Sequence, residues 1–202
     1  MKNIVKDEKY LQIRNEILTS IQDKYKTDKV DIYYSPDNEY RLIIEYFNPE
    51  ENQGWKYSRG TITQLRTENE LVLIRNFGSF PFEWILKDKE SFLLCGQDYQ
   101  GFSIVDLKIM KVIDYVPAEF YEGRGFCWAE IHYTQGIDVL VVGGCYWGDE
   151  YEIVFYDFSN PLRLPYKELK RIKPYEKIIG WQDKCNFEYE DEDRKKQIVK
   201  IL

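Results

Sequence analysis

Phe82-Glu83-Trp84, Phe126-Cys127-Trp128 and Ile179-Gly180-Trp181 each set a tryptophan two residues after an apolar residue, and Ile32-Tyr33-Tyr34 is a weaker first copy. Similar strand ends follow the first three copies in order: Ile62-Thr63-Gln64-Leu65, Ile104-Val105-Asp106-Leu107 and Phe155-Tyr156-Asp157-Phe158. Tyr57, Ile62 and Leu65 map onto Tyr99, Ile104 and Leu107 at one constant offset of 42 residues. A unit of roughly 40 to 50 residues made of short strands is the signature of a propeller blade or a related array. The expected fold is therefore all-β: a propeller-like array of about four repeats of short antiparallel strands, with an N-terminal α-helix.

The pattern divides the chain into an N-terminal helix, 1–28, and one β-domain, 29–202, with repeats at about 29–77, 78–118, 119–173 and 174–202. Tyr10, Ile13, Ile17, Ile21 and Tyr25 recur at spacings of three and four, which predicts a helix over 7–26 that packs on the sheets. Asp7 and Glu8 near its start and Lys24 and Lys26 near its end suit the helix dipole. From Val30 onward the pattern is strand and turn. Expected strands include 42–47, 55–65, 71–74, 82–86, 91–95, 102–107, 111–115, 126–132, 138–142, 151–158, 177–181, 185–190 and 197–201. The stretch 48–54 is a polar loop, and Lys167–Ile172 is expected to form one helical turn. Two closures are open: a ring in which strand 30–34 pairs with the incomplete last repeat, or an open, curved array blunted by the helix.

Composition supports this class. The 202 residues are 44 % hydrophobic and 16 % aromatic, with 17 Tyr, 11 Phe and 5 Trp. Bulky aromatics favour pleated, half-buried positions. The formal charge of −7 disfavours nucleic acid, because counterion release needs clusters of Lys and Arg. It fits a protein partner, a basic one included, or a small molecule. The four cysteines form no C-x-x-C pair and the chain has one histidine, so neither a metal site nor a cofactor is expected. No apolar run is long enough to span a bilayer, and the amino terminus lacks a signal-like segment; a cytoplasmic protein with free thiols is expected.

Candidate chemistry concentrates in three loops joining the second and third strands of successive repeats. They are Gly54-Trp-Lys-Tyr-Ser-Arg-Gly60, Gly96-Gln-Asp-Tyr-Gln-Gly101 and Gly143-Gly-Cys-Tyr-Trp-Gly-Asp-Glu-Tyr151. Such loops share one face, and aromatic rings between glycines suit a ligand pocket or a protein-binding face, or else pack the crowded centre of the array. Trp55, Tyr57, Arg59, Asp98, Tyr99, Gln100, Trp147 and Tyr151 are the candidate binding residues there, joined by Arg124 and Trp128 from the Gly123–Glu130 segment. Glu130 shares a strand face with Trp128 and needs a partner, Arg124 or His132, if that face is buried. An enzyme would instead use Glu130 with Asp98 or Glu152 as paired carboxylates of a hydrolase. A Cys–His pair would have to use His132, which a regular strand turns away from Cys127, leaving Cys145 as the other thiol.

Gly125-Phe-Cys-Trp-Ala-Glu130, Gly144-Cys-Tyr-Trp147 and Tyr151-Glu-Ile-Val-Phe-Tyr-Asp-Phe-Ser-Asn-Pro161, with Cys95-Gly-Gln-Asp-Tyr-Gln-Gly101 and Leu162-Arg-Leu-Pro165, resemble a widespread group of small uncharacterised proteins in bacteria and some fungi. The resemblance covers about residues 80 to 170 and implies that these loops form the shared pattern of the group. It implies no activity.

Overall fold

The computed structural model describes residues 2–49 and 54–202. The polar loop expected at 48–54 lies mostly outside those residues. Among these residues one α-helix, α1 (Glu8–Thr19), precedes fifteen strands, which form four antiparallel sheets, each from consecutive strands. Sheet 1 holds β1 (Lys26–Tyr34), β2 (Tyr40–Phe47), β3 (Tyr57–Gln64) and β4 (Glu70–Arg75). Sheet 2 holds β5 (Glu83–Lys87), β6 (Glu90–Cys95), β7 (Phe102–Asp106) and β8 (Lys111–Tyr115). Sheet 3 holds β9 (Phe126–Tyr133), β10 (Val139–Tyr146), β11 (Glu152–Asp157) and β12 (Glu168–Ile172). The three-stranded sheet 4 holds β13 (Lys177–Trp181), β14 (Asn186–Glu190) and β15 (Lys196–Lys200).

Strand alternation places the core between successive sheets. Leu42 and Ile44 of sheet 1 meet Leu93, Cys95 and Val105 of sheet 2. The opposite face of sheet 2, with Phe92, Leu94 and Ile104, meets Trp128, Leu140 and Val154 of sheet 3. Val139, Val141 and Phe155 on the other side of sheet 3 then receive Phe187 of sheet 4. Period-two side chains let each inner sheet be apolar on both faces. No apolar cluster of the described residues joins sheet 4 back to sheet 1. The row Ile32–Ile43–Thr61–Val72 across sheet 1 and Ile198 on sheet 4 are left on outward faces.

Three sequence expectations are corrected. The helix ends at Thr19, where the N–H of Ser20 turns back to Ile17, and β1 begins at Lys26 after a 3-10 turn over Asp23–Tyr25. The apolar stripe nevertheless packs on the sheets: Ile13, Ile17, Ile21 and Tyr25 gather around Phe47 and Tyr57, and Tyr10 packs with Ile4 and Val116. Lys167–Ile172 is no helical turn: Glu168–Ile172 is β12, because β11 offers it a hydrogen-bonding edge that outweighs its charged composition. Strand 30–34 lies in β1 and pairs with β2, not with the last repeat.

Among the described residues no helix is long and apolar enough to cross a membrane.

Candidate functional site

The β2–β3, β6–β7 and β10–β11 connections meet at one end of the array. Trp55 lies 5.6 Å from Tyr99 and 5.9 Å from Trp147, ring centre to ring centre, and Tyr99 lies 5.9 Å from Trp147. Phe77, which was not singled out in the sequence, completes the group at 5.3 Å from Trp55 and 5.8 Å from Tyr99. The indole N–H of Trp55 donates to the carbonyl of Asn76 at 2.9 Å, which fixes the ring. Trp147 crowns the cluster and is 61 % exposed, whereas Tyr151, also exposed, packs its ring against Tyr175 at 6.4 Å instead of joining the group. Asp149 and Glu150 stand on the same turn, Asp149 accepting from Lys173 at 2.7 Å. Edge and tilted ring geometry of this kind adds roughly 0.5–1.5 kcal/mol per pair beyond burial.

The other candidates part company. Asp98, expected on the loop surface, is 1 % exposed. Its carboxylate accepts from Asn76 Nδ2 at 2.8 Å, from the Gln100 N–H at 2.9 Å and from the Tyr10 hydroxyl at 3.3 Å. Helix α1 thus seals it, and burial raises its pKa. Arg75 lies fully buried beneath, its guanidinium donating to the carbonyls of Ser79 and Gly96 at 2.6 Å and of Asp98 at 3.3 Å. Tyr57 is buried against α1, and Arg59 is held by Glu45 at 2.7 Å. Arg124 pairs with Glu122 at 2.5 Å on the surface, not with Glu130. Gln100 is buried and its side-chain oxygen accepts from the Gly125 N–H at 2.7 Å. Trp128 is buried between sheets 2 and 3.

The carboxylates expected to act together sit in separate networks. Glu152 is buried and bonded by Arg171 and Lys173. Glu130 accepts from Tyr175 at 2.6 Å and lies 3.0 Å from His132 Nε2; the His132 hydrogen bond holds its pKa below the usual carboxylate range, with Tyr175 adding to it. On β5 of the neighbouring sheet, the Glu83 carboxyl makes no hydrogen bond among the described residues, and burial pushes it up to about 7. Sequence reasoning passed over Glu83, although it shares the Phe82-Glu83-Trp84 motif.

His132 is engaged with Glu130, so no Cys–His pair forms. Cys127 and Cys145 face each other across β9 and β10 as free thiols, and burial pushes Cys127 up to about 12. No cluster of three or more metal-ligating side chains occurs among the described residues.

The fold defines an all-β protein of four small antiparallel sheets stacked in chain order. No family model matches the chain. An uncharacterised protein of Acanthamoeba polyphaga mimivirus is 26 % identical over 172 residues, covering 79 % of this chain and 66 % of the relative. The chain therefore spans just under two thirds of that relative's length, and the relative's name assigns it no activity. Among solved structures, dihydro-heme d1 dehydrogenase NirN in complex with DHE is similar at a TM-score of 0.53 and 15 % identity. That match covers 85 % of this chain and 34 % of the NirN chain, and it is a likeness of fold alone.

Proposed function

We propose that this is a non-catalytic binding protein whose contact face is the Trp55–Phe77–Tyr99–Trp147 cluster. Its scaffold is a propeller-like array in which each sheet is a blade and β1, β5, β9 and β13 are the inner strands. The observation that carries the reading is Trp147, a large apolar ring left in water at the top of a group of rings contributed by three repeats. Tryptophan so placed, on a rigid base and beside carboxylates, is the composition of an interface anchor. Asp149 and Glu150 and the overall charge of −7 favour a basic protein segment as the partner.

Titration with fluorescent Lys/Arg-rich, neutral and acidic peptides tests it. Cationic peptides bind, salt weakens them, and Trp147→Ser reduces affinity by about tenfold or more. Equal binding of the wild type and Trp147→Ser rejects this face.

A second reading is supported by Glu83 and Glu130. Carboxyl groups with acidities pushed apart on neighbouring strands are the arrangement that hydrolases use for acid and base. Turnover of neutral p-nitrophenyl esters or glycosides, abolished by Glu130→Gln, would favour it over the binding protein.

A further inference from the structure

The two ends of the sheet array are left uncovered in complementary ways. In sheets 2, 3 and 4 the tryptophan that closes the repeated motif packs back on the sheet before it. Trp84 enters the core between sheets 1 and 2, Trp128 lies 4.4 Å from Phe102 of sheet 2, and Trp181 lies 6.3 Å from Phe155 of sheet 3. Tyr34 holds the same place in the first copy of the motif. It points away from sheet 2, because Tyr33 beside it packs on Phe82 at 4.8 Å. No sheet of the described residues lies behind sheet 1, so Tyr34 is 53 % exposed, with Ile32 and Val72 on the same face also exposed. The opposite lack occurs at the other end. The forward faces of sheets 1, 2 and 3 each receive the tryptophan of the next sheet, whereas that of sheet 4 receives none. Ile198 stands there, 59 % exposed, paired with Glu188 and turned away from Phe187 and Val199, which face sheet 3.

A second copy of this chain fits both ends. Laying sheet 1 of one copy on sheet 4 of another sets Ile32 and Tyr34 against the Ile198 face, and it repeats a packing that the chain already makes between each pair of successive sheets. Charge agrees. Arg41 on the Tyr34 face and Glu190 on the Ile198 face have no ion pair among the described residues, so each face brings an uncommitted charge of opposite sign. A contact of this kind is head to tail, and head-to-tail contacts either close into a ring or grow into a filament. Propellers hold about four to eight blades, so two copies of a four-sheet chain reach the upper limit and a third has no place. Closure with two copies covers both exposed sheet faces and leaves neither copy with a free apolar end.

We infer that the chain forms a two-fold ring of two copies, in which sheet 1 of each packs on sheet 4 of the other. The inference rests on the propeller-like reading of the scaffold, and not on what the Trp147 face binds. Sedimentation equilibrium of the full chain over a dilution series reads the oligomeric state, and the wild type is a dimer. Tyr34→Lys and Ile198→Glu each weaken the dimer by about tenfold or more, while both variants still melt cooperatively, since each replaces an exposed side chain. An equimolar mixture of the two variants dimerises better than either alone. The mixed ring keeps one native contact and sets the two introduced charges, opposite in sign, together at the other. A monomeric wild type overturns the inference, as does a larger assembly. A dimer weakened by only one of the two variants also overturns it, because a like-to-like contact gives that result. Tyr34 ends β1 at the hairpin to β2, opposite the end that carries the Trp55 and Trp147 loops, so cationic-peptide binding is read separately. Peptide binding by a monomeric wild type overturns the ring and leaves the contact face standing; a dimer that binds no peptide does the reverse.

Discussion

Arg75 and Gly96 are fitted to each other without slack. Arg75 Nη1 donates to the Gly96 carbonyl at 2.6 Å, and a β-carbon on Gly96 would lie 2.7 Å from that same nitrogen. The guanidinium is held by three carbonyls and is buried on all sides, so it has nowhere to retreat. Gly96→Ala is expected to destabilise by about 1–3 kcal/mol, the range of an overpacked core. Urea denaturation checks it, and a loss below about 0.5 kcal/mol would show that Arg75 can move.

Asp98 above it acts as the acceptor for three donors, two of them from segments far apart in the chain. Asp98→Ala leaves Asn76, Tyr10 and the Gln100 N–H unpaired and Arg75 without its nearby carboxylate. A loss of about 2–4 kcal/mol follows, or roughly 4–16 °C in melting temperature for a chain of this size. Because α1 reaches the site through Tyr10, hydrogen exchange in α1 should accelerate in this variant. Unchanged exchange there would contradict the clamp.

Glu83 makes stability depend on pH in a definite direction. Its folded carboxyl titrates at about 7, above the ordinary value of 4.5, so the folded state binds a proton that the unfolded state has released. Its contribution is complete below about pH 4.5 and is lost as pH rises through 7. His132 is the charged neighbour that opposes the shift. Glu83→Gln should match the wild type in melting temperature near pH 4.5 and exceed it at pH 8. A constant gap across that range would place Glu83 in water.

Two tryptophans of similar sequence context should differ in their cost to stability. Trp128→Ala removes a ring stacked on Phe102 and Tyr156 and costs about 3–5 kcal/mol. Trp147→Ser removes a mostly exposed ring with two ring contacts and should cost only about 1–2 kcal/mol by denaturation. Comparable losses at both would make the loop cluster a packing element instead of a binding face.

Strands were the most legible part of the sequence because alternation, glycine and proline mark them locally: 111–115 and 177–181 match β8 and β13 residue for residue. The helical stripe was legible as a contact face down to Tyr25, but not the point where β2 captures the backbone for β1. Glu168–Ile172 reads as charged surface, and only its pairing with β11 makes it a strand. The convergence of Trp55, Tyr99 and Trp147 followed from repeat position. The burial of Asp98 did not, because the covering Tyr10 lies 88 residues earlier. Gln100, Arg124 and Trp128 were legible as candidates, yet the cleft between sheets 2 and 3 that they line with Tyr115 depends on the spacing of those sheets, which no local pattern encodes.

The order of the sheets bears on how the chain is made. Every sheet takes its hydrogen bonds from consecutive strands and docks on the one before it. A nascent polypeptide leaving the ribosome can therefore finish one unit before the next is translated. Sheet 1 gathers helix α1 over Phe47 and Tyr57, and sheet 2 then supplies Gln97 and Asp98 to lock it. Sheet 4, emerging last, meets a surface already formed.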